Sequence, residues 1–203
     1  LMNTIFDRDF YQRPATELAP DLLGAIIARE IDGQIMRAVV VETEAYQGME
    51  DKACHASRGK TKRNAVMFGA AGHAYVYFTY GMHWMLNVVC DKLDLPAAVL
   101  IRAVLALEGL EAMRARRERD FGKPSWLNGP AKLCQALGID GALNGADICA
   151  KTSALWFESG FAPKADMIKQ SARIGIGYAA EPWLSVPWRW YIDSSAYSDL
   201  IRL

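Results

Sequence analysis

The hydrophobic and polar positions in the first half of the chain alternate as they do in paired β-strands. Five runs have this pattern: residues 25–31, 34–46, 74–80, 82–89 and 97–104. The first two runs are separated by Asp32-Gly33, the strongest two-residue hairpin signal, and the next two meet at Gly81. The pattern therefore predicts two antiparallel hairpins followed by a fifth strand.

Apolar residues have helical spacing in other parts of the chain. We predict helices over residues 16–23, 105–121 and 130–137, and late strands over residues 172–177 and 189–193. Gly24, Gly122 and Gly138 follow the three helical stretches, and Pro130 starts the last one. The predicted fold is mixed α/β (α+β), with a mainly antiparallel curved sheet, flanking helices and a protruding β-hairpin.

Composition favours one compact domain over residues 1–203. The chain is 52% hydrophobic, and no repeat, low-complexity tract or linker divides it. Its four cysteines have the spacing of neither a redox pair nor a zinc knuckle, so we expect reduced and mostly buried thiols. The first residues lack a signal-peptide pattern, which favours the cytoplasm, with nucleoid association if the source is bacterial. The uncharged residues 64–90 are interrupted by polar residues, so we expect no membrane helix.

The chain has no net charge, because it has 23 basic and 23 acidic side chains. A charged partner must therefore bind to a local cluster of charged residues. A basic loop over residues 52–64 contains five cations and no acid. Arg58, Lys60, Lys62 and Arg63 of this loop are candidate phosphate contacts, as is Lys132 in the first turn of the helix at residues 130–137. Each is weak evidence, since charge runs usually cover solvated faces.

Two carboxylates share one face of the second strand. Strand periodicity places Glu42, Glu44 and Tyr46 together, at the end of a run that begins with three valines. Two such carboxylates often lie on a solvated face or bind basic side chains. Near the end of a central strand, however, burying a carboxylate is unfavourable unless it forms an ion pair or takes part in the chemistry. Neighbours on one strand do not flank a bond from opposite sides as glycosidase carboxylates do. We therefore expect one carboxylate to activate a water and the other to pair with a cation.

Aromatic residues are the second chemical signal. Most of the tyrosines in residues 74–80 are expected in the core. Tyr80 differs because it abuts the Gly81 turn, where there is little protein to pack against. Two interpretations remain open from the sequence: a partly exposed turn tyrosine, or a wedge that enters a base stack.

The three histidines lack a compact metal-ligand spacing, so we expect no metal. His55 lies in the basic loop, where a neutral imidazole can stack on or hydrogen-bond a planar ligand. A histidine that only anchors the loop is the alternative, and from His55 alone it is the preferred one.

Several motifs resemble the alkyladenine (3-methyladenine) DNA glycosylase family over nearly the whole chain. They are Val41-Glu42-Thr43-Glu44-Ala45-Tyr46, His55, Arg63-Asn64, Tyr75-Val76-Tyr77, Tyr80-Gly81-Met82, Asn87, Leu100-Ile101-Arg102-Ala103 and Gly129-Pro130-Ala131-Lys132-Leu133-Cys134. The chain departs from the family pattern at Lys62, where the family commonly has proline, and at Trp84 and Met85, which are bulkier than expected.

The resemblance implies an enzyme that flips a damaged purine out of duplex DNA and hydrolyses its N-glycosidic bond, without metal, cofactor or lyase chemistry. By motif position, Glu44 is the general base and Arg102 places the water or a phosphate.

The resemblance also assigns the residues around the base. Tyr46, His55 and Tyr77 enclose it, and Asn87 excludes the amino group of normal guanine. Tyr80 fills the hole in the duplex, and Met82, the next motif position on the hairpin tip, is grouped with it as an intercalating residue. The expected partner is double-stranded DNA containing damaged purines, bound by a monomer.

Two alternatives belong to other classes of protein. A noncatalytic damage-binding module would flip and hold the lesion without cutting it, but binding alone needs no water-activating carboxylate. A globular protein whose carboxylates and tyrosines are structural fits the composition but not the combined motifs. The preferred lesion among 3-methyladenine, 7-methylguanine, hypoxanthine and ethenoadenine is left open by the sequence.

Overall fold

The computed structural model describes residues 4–198 and contains one mixed α/β domain. Its strands are β1 (Ile26–Ile31), β2 (Gln34–Gln47), β3 (Ala74–Thr79), β4 (His83–Val89), β5 (Ala97–Glu108), β6 (Leu155–Glu158), β7 (Ile168–Ser171) and β8 (Arg189–Ile192). Its α-helices are α1 (Arg8–Tyr11), α2 (Ala15–Asp21), α3 (Leu110–Arg116) and α4 (Pro130–Leu137). Between residues 4 and 198, no helix has the length and apolar character needed to cross a bilayer.

The long strand β2 organises the sheet. The strand order is β3-β4-β5-β2-β1-β6, and each pairing within it is antiparallel, as predicted. The first part of β2 pairs with β1, whereas residues 42–44 pair with β8, which in turn pairs with β7. The sheet therefore divides beside β2, at the segment that carries the two carboxylates.

The core lies on the face of β2 opposite those carboxylates. Thr43 is fully buried on that side, and its hydroxyl donates a hydrogen bond to the Ala19 carbonyl of α2 at 2.8 Å. Strand periodicity then directs Glu42 and Glu44 to the other face. Helix α4 packs against β4 and β5 with Leu133 and Leu137 fully buried, which fixes the strands that border the site.

The predicted helix over residues 105–121 is wrong at both ends, because α3 ends at Arg116 and a short 3-10 helix over Glu118–Asp120 follows it. Leu105–Glu108 continue β5, because the first half of β2 provides them with a pairing partner. Gly109 then ends the strand with φ +75°, and a side chain there would collide with Met36, so helix α3 begins only at Leu110.

The predicted strand over residues 172–177 is also wrong, since this segment is an irregular loop. Its side chains and backbone bind the site instead of a neighbouring strand. The sequence analysis does not predict two short strands, β6 and β7, which have four residues each; β6 pairs with β1, more than a hundred positions away, and β7 pairs with β8. The hairpins, the helix over residues 130–137 and the strand starting at Arg189 are confirmed. Cys54, Cys90 and Cys134 are buried free thiols, as expected, and Cys149 is partly buried.

Candidate active site

A buried carboxylate, Glu44, is the centre of the site. It has no exposed surface, and three donors hold it. Its Oε2 accepts a hydrogen bond from the Tyr46 hydroxyl at 2.7 Å, and its Oε1 accepts one from the Ile174 N–H at 2.7 Å and lies 3.3 Å from the guanidinium of Arg102. The shared face predicted for Glu44 and Tyr46 is confirmed.

The second carboxylate, Glu42, is occupied by two arginines. Its Oε1 accepts hydrogen bonds from Arg102 at 2.8 Å and from Arg189 of β8 at 2.6 Å. Glu42 therefore holds Arg102 beside Glu44, which is the anchoring role expected for one carboxylate of the pair. The register between β2 and β5 is irregular at this point, because the pairing passes from Ala103 directly to Ile101 and leaves Arg102 without a paired residue on β2.

The environment of Glu44 raises the pKa of its carboxyl group above the ordinary value of 4.5. Burial is the largest cause, since it disfavours the charged form, and the charge of Glu42 acts in the same direction. Arg102, the Ile174 N–H and the Tyr46 hydroxyl oppose the increase by stabilising the carboxylate. A raised pKa brings a carboxylate closer to the range in which it accepts a proton efficiently.

Two adjoining cavities are lined by residues that hold this carboxylate: Tyr46 lines both of them, and Arg102 and Ile174 line the outer one. The inner one has a volume of about 40 Å³, roughly that of one water molecule, and is lined by Tyr46, Ala53, His55, Met67, Tyr75, Tyr77, Asn87, Ala98 and Tyr178. The outer one, of about 280 Å³, shares Tyr46, His55, Tyr77 and Tyr178 with it and also reaches Tyr80, Arg102 and Ile174. The inner cavity alone is too small for a purine, so a flat ligand must occupy the outer cavity or widen the inner one.

His55 stands at the boundary of both cavities. Its Nδ1 is hydrogen-bonded to the Tyr75 hydroxyl at 2.9 Å, and its ring meets Tyr77 edge-on with centroids 4.5 Å apart. Desolvation and the nearby charge of Arg63 lower the pKa of His55 to about 4. The imidazole is therefore neutral at physiological pH, as the sequence interpretation required, and it is built into the aromatic wall.

Asn87 is buried in the wall of the inner cavity. Its Nδ2 donates a hydrogen bond to the Tyr75 carbonyl at 3.1 Å across the β3–β4 pair, so its amide orientation is fixed. A rigid polar group at this point can restrict the shape of a ligand, which is the kind of role predicted for it. Trp84, expected from its bulk to affect the pocket, instead packs against Phe78 and Gly141. Met85 does line the outer cavity.

The tip of the β3–β4 hairpin presents two large apolar side chains to solvent. Tyr80 is 77% exposed and Met82 is 68% exposed. Met82 N–H donates to the Thr79 carbonyl at 3.2 Å and closes a turn in which Tyr80 and Gly81 have φ values of +54° and +66°. Tyrosine rarely adopts positive φ, so the turn holds Tyr80 outward at a conformational cost. This exposure agrees with both interpretations from the sequence, an exposed turn tyrosine and a wedge.

The five candidate phosphate contacts have different surroundings. Arg58 and Lys62 are exposed on the basic loop, and Lys60 lies over the Phe68 ring at 5.5 Å. Arg63 packs over the Tyr77 ring at 5.2 Å and donates to the Phe78 carbonyl, so it also supports the pocket wall. Lys132 donates to the Ser125 carbonyl at 2.9 Å. Contact of any of them with phosphate stays a prediction.

The sequence interpretation missed the loop over residues 172–178, which covers the site. Ile174 supplies the N–H that binds Glu44, and Tyr178 lines both cavities while 71% exposed, with its hydroxyl donating to the Ala53 carbonyl at 3.1 Å. Arg173 belongs to this loop and donates to the Ala45 carbonyl of β2 at 2.9 Å. No local signal identifies these residues, because their partners lie more than a hundred positions away in the chain.

Comparisons with known proteins agree with the family that the motifs indicate. A family model described as methylpurine-DNA glycosylase matches residues 9–196. A protein of Methanocella arvoryzae, provisionally named 3-methyladenine DNA glycosylase, is 49% identical over 191 residues, covering 94% of each chain. Proteins with the same provisional name from Burkholderia orbicola and Chlorobaculum parvum are 47% and 43% identical, each over 96% of this chain and 90% of the relative.

Proposed function

The chain belongs to the methylpurine-DNA glycosylase family, which makes it a DNA glycosylase for alkylated bases, and we propose that it works by base flipping. In this proposal a damaged purine nucleotide leaves the duplex and enters the aromatic cavity. A water molecule activated by Glu44 then hydrolyses the N-glycosidic bond. The enzyme is monofunctional, so it leaves an abasic site and an intact strand.

One observation carries this proposal: Tyr46 and Arg102, which hold the buried Glu44 carboxylate, line a cavity walled by aromatic rings. A purine nucleotide alkylated at N3 or N7 carries a flat cationic base, which aromatic faces bind well. The alkylated base is also a good leaving group, so the site needs one activating carboxylate rather than an acid and a base. Tyr46, His55 and Tyr77 supply the flat walls.

The bond changes can be assigned to atoms of the site. The water oxygen bonds to C1′ of the sugar, the N-glycosidic bond breaks, and its electron pair leaves with the base. Glu44 takes the proton of the water, and its negative charge stabilises the positive charge that develops on the sugar. Because Glu44 is fully enclosed here, one of its oxygens must exchange a protein donor for water. The Arg102 contact, at 3.3 Å, is the longest of the three.

The hairpin tip is proposed to fill the space that the base leaves. Tyr80 and Met82 are large, apolar and exposed, which suits insertion between base pairs in the minor groove. Asn87 is proposed to reject unmodified guanine by contact with its exocyclic amino group. Arg58, Lys60, Lys62, Arg63 and Lys132 are weaker candidates for contacts with the DNA backbone.

The remaining elements of the proposal rest on the sequence and on its resemblance to the family. The partner is duplex DNA containing alkylated or deaminated purines, bound by a monomer in the cytoplasm. The mechanism uses no metal or cofactor.

The full enclosure of Glu44 favours one second candidate, a module that flips and holds a lesion without cutting it. One experiment separates the two functions. Duplexes that each carry one defined lesion are incubated with excess protein, and free base is measured over time. The proposed enzyme releases at least one damaged purine and leaves an abasic strand that breaks only after alkali treatment. Tight binding to every lesion without base release would support the module instead.

A further inference from the structure

A fully buried ion pair lies beside the site and has no role in the chemistry described so far. Arg173 and Asp51 have no exposed side-chain surface and form two hydrogen bonds, at 2.6 and 2.9 Å. The Nε of Arg173 is buried without a hydrogen-bond partner. Burying such a pair is unfavourable unless its geometry is excellent, and it is often no more stable than apolar residues of similar size. Global stability alone therefore explains it poorly.

Arg173 reaches the segment that carries Glu44 and Tyr46, and it also donates to the Trp183 carbonyl at 3.1 Å and lies 5.2 Å from the centre of the Trp188 ring. One guanidinium nitrogen donates to the carbonyl of Ala45, the residue between Glu44 and Tyr46, at 2.9 Å. The guanidinium also lies 4.8 Å from the centre of the Tyr46 ring and supports it by a cation–π contact. The next residue in the chain, Ile174, donates its N–H to Glu44. A single side chain therefore fixes both the strand that carries Glu44 and the loop that covers it.

Asp51 extends this connection to the basic loop. Its carboxylate accepts hydrogen bonds from the backbone N–H groups of Gln47 and Ala53, at 3.3 and 3.0 Å, in addition to the two from Arg173. Tyr178 makes a second connection between the same two loops, through its bond to Ala53. The pair thus joins the two walls of the cavity at a point behind Tyr46.

We propose that Arg173, held by Asp51, is a positioning residue that sets the placement of Glu44 and Tyr46 for base excision. The inference rests on the proposed function. It depends on the planar fork of arginine, which bonds Asp51 with two nitrogens while donating to Ala45, a geometry that lysine cannot reproduce. A shift of the loop weakens the Ile174 donor, and the carboxylate of Glu44 then loses one of the groups that keep it charged.

The pH dependence of the excision rate reports on the surroundings of Glu44. The ionisable groups facing Glu44 are Glu42 and Tyr46 on β2, Arg102 on β5 and Tyr77 on β3. Arg173→Lys alters none of these groups and keeps the positive charge. A change in the acid limb of the rate profile therefore reports the placement of the Ile174 and Tyr46 donors rather than a lost charge.

The test compares wild type, Arg173→Lys and Asp51→Asn with a control, Arg37→Lys. Arg37 bonds Glu158 from the start of β2, seven positions and about 23 Å from Glu44. Thermal melting gives the folded fraction, and binding to a duplex with a tetrahydrofuran abasic analogue gives affinity. Excision of hypoxanthine or 7-methylguanine is measured with excess enzyme from pH 5 to 9. Of these two lesions, the one that the wild-type protein excises is used for all variants.

We expect Arg173→Lys and Asp51→Asn to lower the maximal excision rate by about 10-fold or more while affinity changes by less than about 3-fold. We expect their acid limb to move to higher pH by about half a unit or more, and Arg37→Lys to leave the profile unchanged. The proposal would be overturned if the folded variants had the same pH–rate profile as wild type. It would also be overturned if their excision rates fell only in proportion to the folded fraction. If Arg173→Lys does not fold, Asp51→Asn, which keeps the shape of the side chain, decides alone. A wild-type protein that releases no base refutes the proposed function itself.

Discussion

Replacing Tyr80 with alanine distinguishes two roles for this side chain: insertion into the DNA base stack, and support of the protein fold. The side chain is 77% exposed, so about a quarter of its surface is buried. Losing that burial costs on the order of 1 kcal/mol, given about 200 Å² for a tyrosine and about 25 cal/mol per Å². Alanine is as strained as tyrosine at this positive φ, so no release of backbone strain offsets this cost. The melting temperature should fall by about 2–4 °C.

Binding to damaged DNA should fall by much more. A side chain that stacks on bases contributes about 1–3 kcal/mol, equivalent to about 5- to 150-fold in affinity. Tyr80→Ala should weaken binding to a tetrahydrofuran duplex within this range and leave binding to undamaged duplex nearly unchanged. Fluorescence anisotropy at fixed salt measures both affinities.

The control is Leu107→Ala, which truncates a 42% exposed side chain at the far end of β5. It should change stability by a similar amount and leave lesion binding unaffected. If Tyr80→Ala weakened binding to damaged and undamaged duplexes equally, or lowered stability as a core substitution does, the wedge interpretation would fail.

Two further predictions concern specificity and electrostatics. Asn87→Ser should raise the release of unmodified guanine from duplex DNA in single-turnover assays, because it removes bulk from the cavity wall; an unchanged range of released bases would argue against the gate. Lys62→Ala should weaken binding to damaged and undamaged duplexes alike and reduce the slope of log affinity against log salt by about 1. A salt slope equal to that of wild type would remove Lys62 from the phosphate contacts.

The sequence was most informative where structure is local. The Asp32-Gly33 and Gly81 turns, the Pro130 helix start and the shared face of Glu42, Glu44 and Tyr46 all follow from short patterns, and the structure contains each of them. Period 2 fixes which side chains share a face, and proline and glycine mark where elements begin and end. These rules act over a few residues, so they need no knowledge of the rest of the chain.

The errors occurred where distant partners decide the structure. Leu105 to Glu108 have helical spacing, but the length of β2 draws them into the sheet. Residues 172–177 look like a strand, but Arg173 bonds Asp51, 122 positions away, and Ile174 bonds Glu44, 130 positions away. The full enclosure of Glu44 follows from the same loop. A carboxylate on a strand face gives no sign in the sequence that another segment will cover it.

The most direct test of the account is base release by Glu44→Gln, compared with Glu42→Gln as a matched carboxylate on the same face of the same strand. Excision by excess enzyme and binding to a lesion duplex are measured for both variants. Glu44→Gln is expected to lose about 100-fold or more in rate while still binding the lesion, and Glu42→Gln, which weakens the anchoring of Arg102 and Arg189, is expected to lose much less. Excision by Glu44→Gln at the wild-type rate, or an equal loss in both variants, would contradict the central role of Glu44.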